Sequence, residues 1–290
     1  MLSGMSYFKR LGLEKEPFST SPDPAFFYLS KAHKAILYKL RIAIRLKRGL
    51  SLVLGRVGTG KTTLARKLFQ VLKSEDPETI LFHMILNPLP NSEREFLLYL
   101  ARLFQLELNA KRPSAIDCMN KIEEYLFQKG VEENKTIILL VDEAQKLSNV
   151  CLEILRTLLN YETSEYKILQ LILMGQMELL PRIKKIENFW DRISLKYVIE
   201  PLDRQEIKEM IDFRLNKATC NGSQTLLFEE GAIDEIYNYS RGYPRKITML
   251  CHNALEMLAV EGGKFVDRDL VCKLIERETK LVDEDSKQTW

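Results

Sequence analysis

A glycine-rich segment, Gly55-Arg56-Val57-Gly58-Thr59-Gly60-Lys61-Thr62, matches the pattern GxxxxGK[ST]. The apolar run "SLVLG" before it predicts a buried strand, and "KTTLARKLFQVLKSE" from its end carries apolar residues at helical spacing. A loop between a strand and a helix can turn its backbone N–H groups around phosphates, and the start of the helix adds partial positive charge. The segment therefore predicts a phosphate-binding loop, and the complete motif in this context argues against a turn that holds no ligand.

The loop also predicts which side chains bind the nucleotide. Lys61 is expected to reach the β- and γ-phosphates, and the Thr62 hydroxyl is expected to ligate Mg²⁺. The predicted nucleotide contacts of the loop are Gly55, Val57, Gly58, Thr59, Gly60, Lys61, Thr62 and Thr63.

Short apolar runs alternate with longer amphipathic segments over the first two thirds of the chain. This order predicts a largely parallel sheet with helices on both faces, an α/β domain. The predicted strands are 51–55, 80–86, 136–144, 168–175 and 195–202. After Pro201 the pattern is helical only, which predicts a second, all-helical domain. The predicted divisions are an N-terminal segment 1–48, an α/β domain 49–202, a helical domain 203–280 and a polar tail 281–290.

Composition excludes few classes of function. The formal net charge of +3 on 290 residues neither requires nor excludes a nucleic-acid partner. The five cysteines have no CxxC spacing, so we expect buried or reduced thiols in a cytosolic protein rather than a zinc site. No apolar run is long enough for a transmembrane helix, and the N-terminus lacks the apolar core of a signal peptide.

The run "TIILLVDEAQ" supplies two adjacent acids at the end of a predicted buried strand. Ligands of α/β sheets bind at this end of the strands. Asp142 is expected to hold Mg²⁺, and Glu143, which projects differently, is expected to polarise the attacking water as general base. An acid pair that only caps a helix is the alternative, and the phosphate loop argues against it.

Three further polar residues have two interpretations each. Gln176 follows a predicted strand, where it would orient water or sense the γ-phosphate, or serve as an ordinary turn amide. Arg182 and Arg192 both lie in the region before the last predicted strand. Arg192, which lies just before that strand, would stabilise transition-state charge on a neighbouring subunit's ATP, or be a solvated surface arginine. Arg245 begins a predicted helix after Pro244, where it would fold over the phosphates or contribute only surface charge.

These motifs together resemble the AAA+ ATPases, and within them the ExeA/GspA family of general-secretion-type ATPases. The resemblance covers nearly the whole chain, from "GLEKEPFSTSPDPAFFYLSKAHKAILYKL" through "VDEAQ", "GQMEL" and "DRISLKYVIEPLDRQE" to "SRGYPRKI". It implies a P-loop NTPase fold of AAA+ type that is followed by a small helical lid. Transposition regulators of the TniB/TnsC type share the same short core.

The resemblance also implies roles for individual residues. Lys61 and Thr62 match the Walker A motif, and Asp142 and Glu143 match the Walker B pair. Gln176 lies at or next to the sensor 1 position, Arg192 matches the arginine finger and Arg245 matches the sensor 2 arginine. The N-terminal segment is expected near the nucleotide, with Tyr28 and Leu29 as adenine contacts or as residues that pack on the core.

Three functions follow from these expectations. The first is an ATPase that uses ATP and Mg²⁺, forms a ring or helical homo-oligomer with ATP at subunit interfaces, and drives assembly of a secretion, pilus or envelope machine. It would be cytoplasmic, or peripheral at the inner membrane through partners.

The second function is that of a transposition target selector that oligomerises on double-stranded DNA with a transposase. The clusters "KLRIAIRLKRG" and "RIKKIENFW" would then contact phosphates, or they are solvated helix faces. The third is a nucleotide-dependent binding module with little turnover, against which Glu143 argues. Many secretion-type relatives continue into a membrane span and a periplasmic region. We expect neither after the helical domain of this sequence, which weakens the first function without removing it.

Overall fold

Five strands form one parallel sheet in the order β2-β3-β4-β1-β5. Their bounds are β1 Leu50–Gly55, β2 Ile80–Ile85, β3 Thr136–Val141, β4 Leu169–Gly175 and β5 Ile193–Ile199. Every residue of β1 and β4 is buried, because both faces of a central parallel strand are covered. The predicted parallel α/β sheet is therefore confirmed.

The computed structural model describes residues 6–19, 24–88, 92–108, 112–219 and 227–287. Cys220 and residues 20–23 of the N-terminal segment lie outside the described residues. The described chain forms two units. The α/β unit contains Lys31–Val57 and Leu64–Ile199, and the helical unit contains the described residues within Met1–Ser30, Gly58–Thr63 and Glu200–Trp290.

The strands of the α/β unit alternate with helices. These are α2 Lys31–Arg45, α3 Lys61–Glu75, α4 Glu93–Leu103, α5 Ala115–Phe127, α6 Asn149–Leu158 and α7 Leu179–Lys185. Ser92, Ser114 and Ser148 precede α4, α5 and α6, and each side chain accepts a hydrogen bond from a backbone N–H of the first turn. Such N-caps contribute about 1 kcal/mol each, so these serines fix where the helices begin.

The helical unit contains α1 Tyr7–Arg10, α8 Arg204–Ala218, α9 Glu230–Ser240, α10 Pro244–Glu261 and α11 Arg268–Lys287. Asp203 and Glu206 form a reciprocal capping box that begins α8. The unit has its own apolar core, in which Phe18 of the N-terminal segment is fully buried. The helical C-terminal region that the sequence predicts is therefore present, and α11 continues beyond the predicted boundary at residue 280.

The thiols Cys118, Cys151, Cys251 and Cys272 are free, and the first three are buried. Over the described ranges, no helix is both long and apolar enough to cross a membrane.

Candidate functional site

Three predicted site residues lie at the carboxyl ends of strands that are neighbours in the sheet. Gly55 ends β1, Asp142 follows the last residue of β3, and Gln176 follows the last residue of β4. Leu54 pairs with Gly175, and Val141 pairs with Leu173, so β4 lies between β1 and β3. The carboxyl ends of these parallel strands meet at one sheet edge, which is where α/β proteins bind ligands.

The phosphate loop connects β1 to α3, as the sequence predicts. Gly58 and Gly60 have φ angles of 81° and 90°, which side chains other than glycine rarely adopt. Thr59 and Lys61 are 1% and 5% exposed, respectively. A lysine is seldom so buried, and a cation at the start of a helix is suited to an anionic ligand.

The remaining loop positions differ in exposure. Gly55 is buried at the end of β1, Val57 is 57% exposed, and Thr62 and Thr63 are half-buried in the first turn of α3. The nucleotide contacts of these loop positions stay a prediction.

Arg245 lies against the phosphate loop within the helical unit. A Cβ atom at Gly58 would lie 3.0 Å from Cβ of Arg245. Arg245 follows Pro244, which begins α10, and the preceding Gly242 has a φ angle of 79°. A Cβ at Gly242 would lie 2.1 Å from the carbonyl oxygen of Leu202, so only glycine allows this approach. The structure therefore brings Arg245 to the loop, while its role toward phosphate stays a prediction.

The two adjacent acids have different environments. Asp142 is 1% exposed, and its backbone N–H donates to the carbonyl oxygen of Ile85 at 2.7 Å. Glu143 is half-buried and has a φ angle of 53°, which is uncommon for a residue with a side chain. Its N–H donates to Oδ1 of Asp142 at 2.9 Å. Asp142 is therefore buried, whereas Glu143 is partly exposed, and the different projection of the two carboxylates stays a prediction.

A residue that sequence reasoning did not single out connects two of the predicted ones. Nε2 of Gln145 donates to Oε2 of Glu143 at 2.7 Å, and Oε1 of Gln145 accepts from the backbone N–H of Gln176 at 3.0 Å. The signal available in the sequence was its place in "VDEAQ", two residues after Glu143.

Both arginines that precede β5 are bonded within the α/β unit. Nη1 of Arg192 donates to the carbonyl oxygen of Arg156 at 3.2 Å and to the side chain of Asn160. Arg182 donates to the carbonyl oxygen of Gln145 at 2.7 Å and to Oδ1 of Asn149 at 2.9 Å. The finger role of Arg192 stays a prediction about a neighbouring subunit.

Tyr28 is held by the helical unit. Its hydroxyl donates to Oε2 of Glu209 at 2.5 Å, and its ring centre lies 6.1 Å from that of Phe213. Burial and the hydrogen bond to Glu209 raise the pKa of the Tyr28 phenol, so it stays neutral. Leu29 is half-buried. The contact of both residues with adenine stays a prediction.

Comparison with known proteins agrees with this geometry. Residues 44–183 match the family model of the AAA domain. General secretion pathway protein A of Aeromonas hydrophila is 34% identical over 267 residues, which cover 91% of this chain and 47% of that protein. The chain therefore spans less than half the length of that relative.

Two solved structures illustrate the fold. The Aeropyrum pernix ORC2 protein superimposes with a TM-score of 0.64 at 18% identity, over 92% of this chain and 72% of that one. Drosophila ORC bound to DNA superimposes with a TM-score of 0.60 at 18% identity, over 92% of this chain and 63% of that one. At this identity, the likeness establishes the fold alone.

Proposed function

Since this chain belongs to the AAA+ nucleoside triphosphatases and resembles general secretion pathway protein A, we propose that it binds ATP with Mg²⁺ and hydrolyses it to drive assembly of a protein machine. The observation that carries the proposal is the set of residues that follow neighbouring strands: the loop after β1, the acid pair after β3 and Gln176 after β4. A binding module needs the loop, whereas hydrolysis also needs a base, which Glu143 supplies.

The donor types fit ATP with magnesium. The Thr62 hydroxyl and the Asp142 carboxylate are oxygen ligands, which Mg²⁺ prefers, and Mg²⁺ usually keeps several waters beside one or two carboxylates. When bound, the metal neutralises charge on the phosphates. Lys61 supplies a fixed positive charge at the start of α3, and the N–H groups of the loop bind phosphate oxygens.

The protein's own residues activate and orient water. Glu143 accepts a proton from the water that attacks the γ-phosphorus, the bond to the β-phosphate oxygen breaks, and ADP and phosphate leave. Gln176 orients the water or detects the γ-phosphate, and Arg245 reports bound nucleotide to the helical unit. Tyr28 and Leu29 contact the adenine.

The experiment compares the wild-type protein with Glu143→Gln and Lys61→Ala. Wild-type protein should release phosphate from ATP in the presence of Mg²⁺. Glu143→Gln should bind a fluorescent ATP analogue and keep only a small residual rate of hydrolysis, whereas Lys61→Ala should lose binding. Phosphate release by Glu143→Gln at the wild-type rate would refute the assignment of the base.

Oligomerisation and the partner are the second part of the proposal. ATP between subunits, with Arg192 of one chain at the site of the next, would produce head-to-tail rings or open helical filaments. The partner that we propose is a component of a secretion, pilus or envelope machine, on the cytoplasmic side where ATP is available. Light scattering of Glu143→Gln should show ATP-dependent oligomers, and a monomer under all conditions would contradict this part.

A second candidate function is a DNA-associated ATPase, and one cluster favours it. The ammonium groups of Lys184 and Lys196 lie 5.0 Å and 4.0 Å from the centre of the Trp190 ring, and both lysines are exposed. Lysines beside an aromatic ring are suited to nucleic acid. The other basic cluster is partly neutralised, because Arg41 and Arg45 both pair with Glu75.

The two functions differ in their response to duplex DNA. A DNA-associated ATPase should be stimulated by DNA at about 50 mM salt and much less at about 200 mM salt, because phosphate contacts release counterions. Lys184→Ala with Lys196→Ala should remove that stimulation and leave the basal rate unchanged. An ATPase rate that DNA does not affect at low salt favours the protein machine.

A further inference from the structure

The side chain of Gln145 joins the predicted base to the end of a neighbouring strand. Its Nε2 is 2.7 Å from Oε2 of Glu143, and its Oε1 is 3.0 Å from the backbone nitrogen of Gln176. We propose that Gln145 is a positioning residue for hydrolysis, which orients the Glu143 carboxylate and couples that orientation to the backbone after β4. The inference rests on the proposed function, because it acts through Glu143.

The chemistry of the two partners determines the orientation of the amide. A backbone N–H only donates and an ionised carboxylate only accepts, so the Gln145 oxygen must face Gln176 and its NH₂ group must face Glu143. A single glutamine amide supplies both the acceptor and the donor. Glutamate at this position would place an oxygen against the Glu143 carboxylate.

The backbone of Gln145 is itself fixed. It lies in a short 3₁₀ helix, Ala144–Lys146, and its carbonyl oxygen accepts a hydrogen bond of 2.7 Å from Arg182. A Cβ atom at Gly175 would lie 3.1 Å from Oε1 and 3.3 Å from the backbone nitrogen of Gln145. The absence of a side chain at Gly175 therefore gives Gln145 its place beside β4.

These contacts have a consequence for the carboxylate. One oxygen of Glu143 is held by Gln145, which leaves the other to accept the proton of the attacking water. Any shift of the backbone at Gln176 reaches the Glu143 carboxylate through a single planar amide. A residue that responds to the γ-phosphate at the end of β4 is thereby linked to the base.

The test uses two substitutions and one control in the same turn. Gln145→Met keeps the length of the side chain and removes both hydrogen bonds, whereas Gln145→Glu keeps the acceptor and replaces the donor. Lys146→Ala is the matched control, because the side chain of Lys146 bonds to Asn87 at 2.8 Å, and its hydrogen bond to Glu143 uses the backbone N–H, which alanine keeps. The measurements are kcat and KM for ATP, the Kd of a fluorescent ATP analogue, and the thermal unfolding midpoint.

A positioning role separates kcat from binding. Both Gln145 variants should lose about 10- to 100-fold in kcat, as expected for a misplaced reacting group, with KM, Kd and the unfolding midpoint unchanged. Lys146→Ala should match the wild-type protein in all four. Wild-type kcat in Gln145→Met would overturn the inference. A rise in Kd together with a fall in the unfolding midpoint that accounts for the lost rate in both variants would also overturn it.

A double substitution distinguishes this failure from a failure of the proposed function. With Glu143→Gln in place, Gln145→Met should cause no further loss of rate, because two residues that act through one group are not additive. Additive losses would overturn the positioning role alone. Hydrolysis at the wild-type rate by Glu143→Gln, or none by the wild-type protein, would overturn the proposed base and the positioning role together.

Discussion

Nη1 of Arg192 donates a hydrogen bond of 3.2 Å to the carbonyl oxygen of Arg156, in the last turn of α6. The last carbonyls of a helix lack partners within the helix, and a cation there also meets the negative end of the helix dipole. The residue predicted to be the arginine finger is thus a brace within its own α/β unit. Its two roles can be separated by experiment.

Arg192→Ala should abolish hydrolysis by the assembled protein and lower the free energy of unfolding by about 1–2 kcal/mol, because it removes a charge-assisted hydrogen bond. The measurement mixes inactive Arg192→Ala chains with inactive Lys61→Ala chains. If the arginine acts on the neighbouring site, some mixed interfaces combine an intact loop with an intact arginine, and hydrolysis returns. No recovery in the mixture would confine Arg192 to its brace role.

Gly58→Ala should abolish nucleotide binding. The φ angle of 81° penalises a side chain, and the new Cβ would lie 3.0 Å from Cβ of Arg245. Gly262→Ala is the matched control, because Gly262 has a φ angle of 71° and nothing within 4 Å of a new Cβ. Titration with a fluorescent ATP analogue should show binding by Gly262→Ala and no binding by Gly58→Ala. The control should lose about 1–2 kcal/mol of unfolding free energy because of its own positive φ angle. Equal Kd values would show that the loop tolerates the side chain.

Gly242→Ala should destabilise the helical unit strongly. Its new Cβ would lie 2.1 Å from the oxygen and 2.9 Å from the nitrogen of Leu202, so backbone must move. We expect a loss of more than about 4 kcal/mol, which places it among the severe substitutions. Urea unfolding monitored by circular dichroism would measure it against Gly262→Ala, and similar losses in the two variants would contradict the close approach.

Stability should fall as the pH falls below the ordinary pKa of histidine, 6.5, in part through His83. Burial lowers the pKa of His83, partly offset by a backbone hydrogen bond with Leu103. The unfolded state then binds more protons than the folded state below pH 6.5, so acid favours unfolding until the folded pKa is reached. Burial also raises the pKa of its partner Tyr125 to about 12, so that hydroxyl stays neutral.

The measurement is the free energy of unfolding of the wild-type protein and His83→Gln at about pH 7.5 and about pH 5.5. Glutamine retains a polar group for the Tyr125 hydroxyl, which lies 3.0 Å from Nε2 of His83, and does not titrate. The variant should lose less stability between the two values. An equal loss would assign the acid sensitivity to other groups.

The sheet was predictable because its central strands are buried on both faces and appear in the sequence as unbroken apolar runs. The end of β5 was not predictable in the same way. The sequence pattern predicts a strand at 195–202, whereas the strand is Ile193–Ile199 and Leu202 packs in the helical unit. Apolar character alone does not say which core a residue joins. The strand order is likewise set by pairing in the sheet, which no local period encodes.

Within the candidate site, Asp142 and Glu143 were predictable because they directly follow a strong strand pattern. Gln145 was not, because its contacts depend on the positive φ angle at Glu143 and on the position of β4 beside β3. The intramolecular partners of Arg192 and Arg182 depend in the same way on where α6 and its flanking turns lie. Local sequence gives the chemistry of a residue, and tertiary register selects its neighbours.

The buried thiols supply a probe of how each unit opens. Cys118 and Cys151 are buried in the α/β unit, and Cys251 is buried in the helical unit. Burial raises the pKa of Cys251 and Cys118, which further suppresses the reactive thiolate in the folded state. With Cys220 and Cys272 replaced by serine, the rate at which a thiol reagent labels each remaining cysteine reports local unfolding of its own unit. Labelling rates with and without ATP would then show, for each cysteine, whether the nucleotide stabilises its unit.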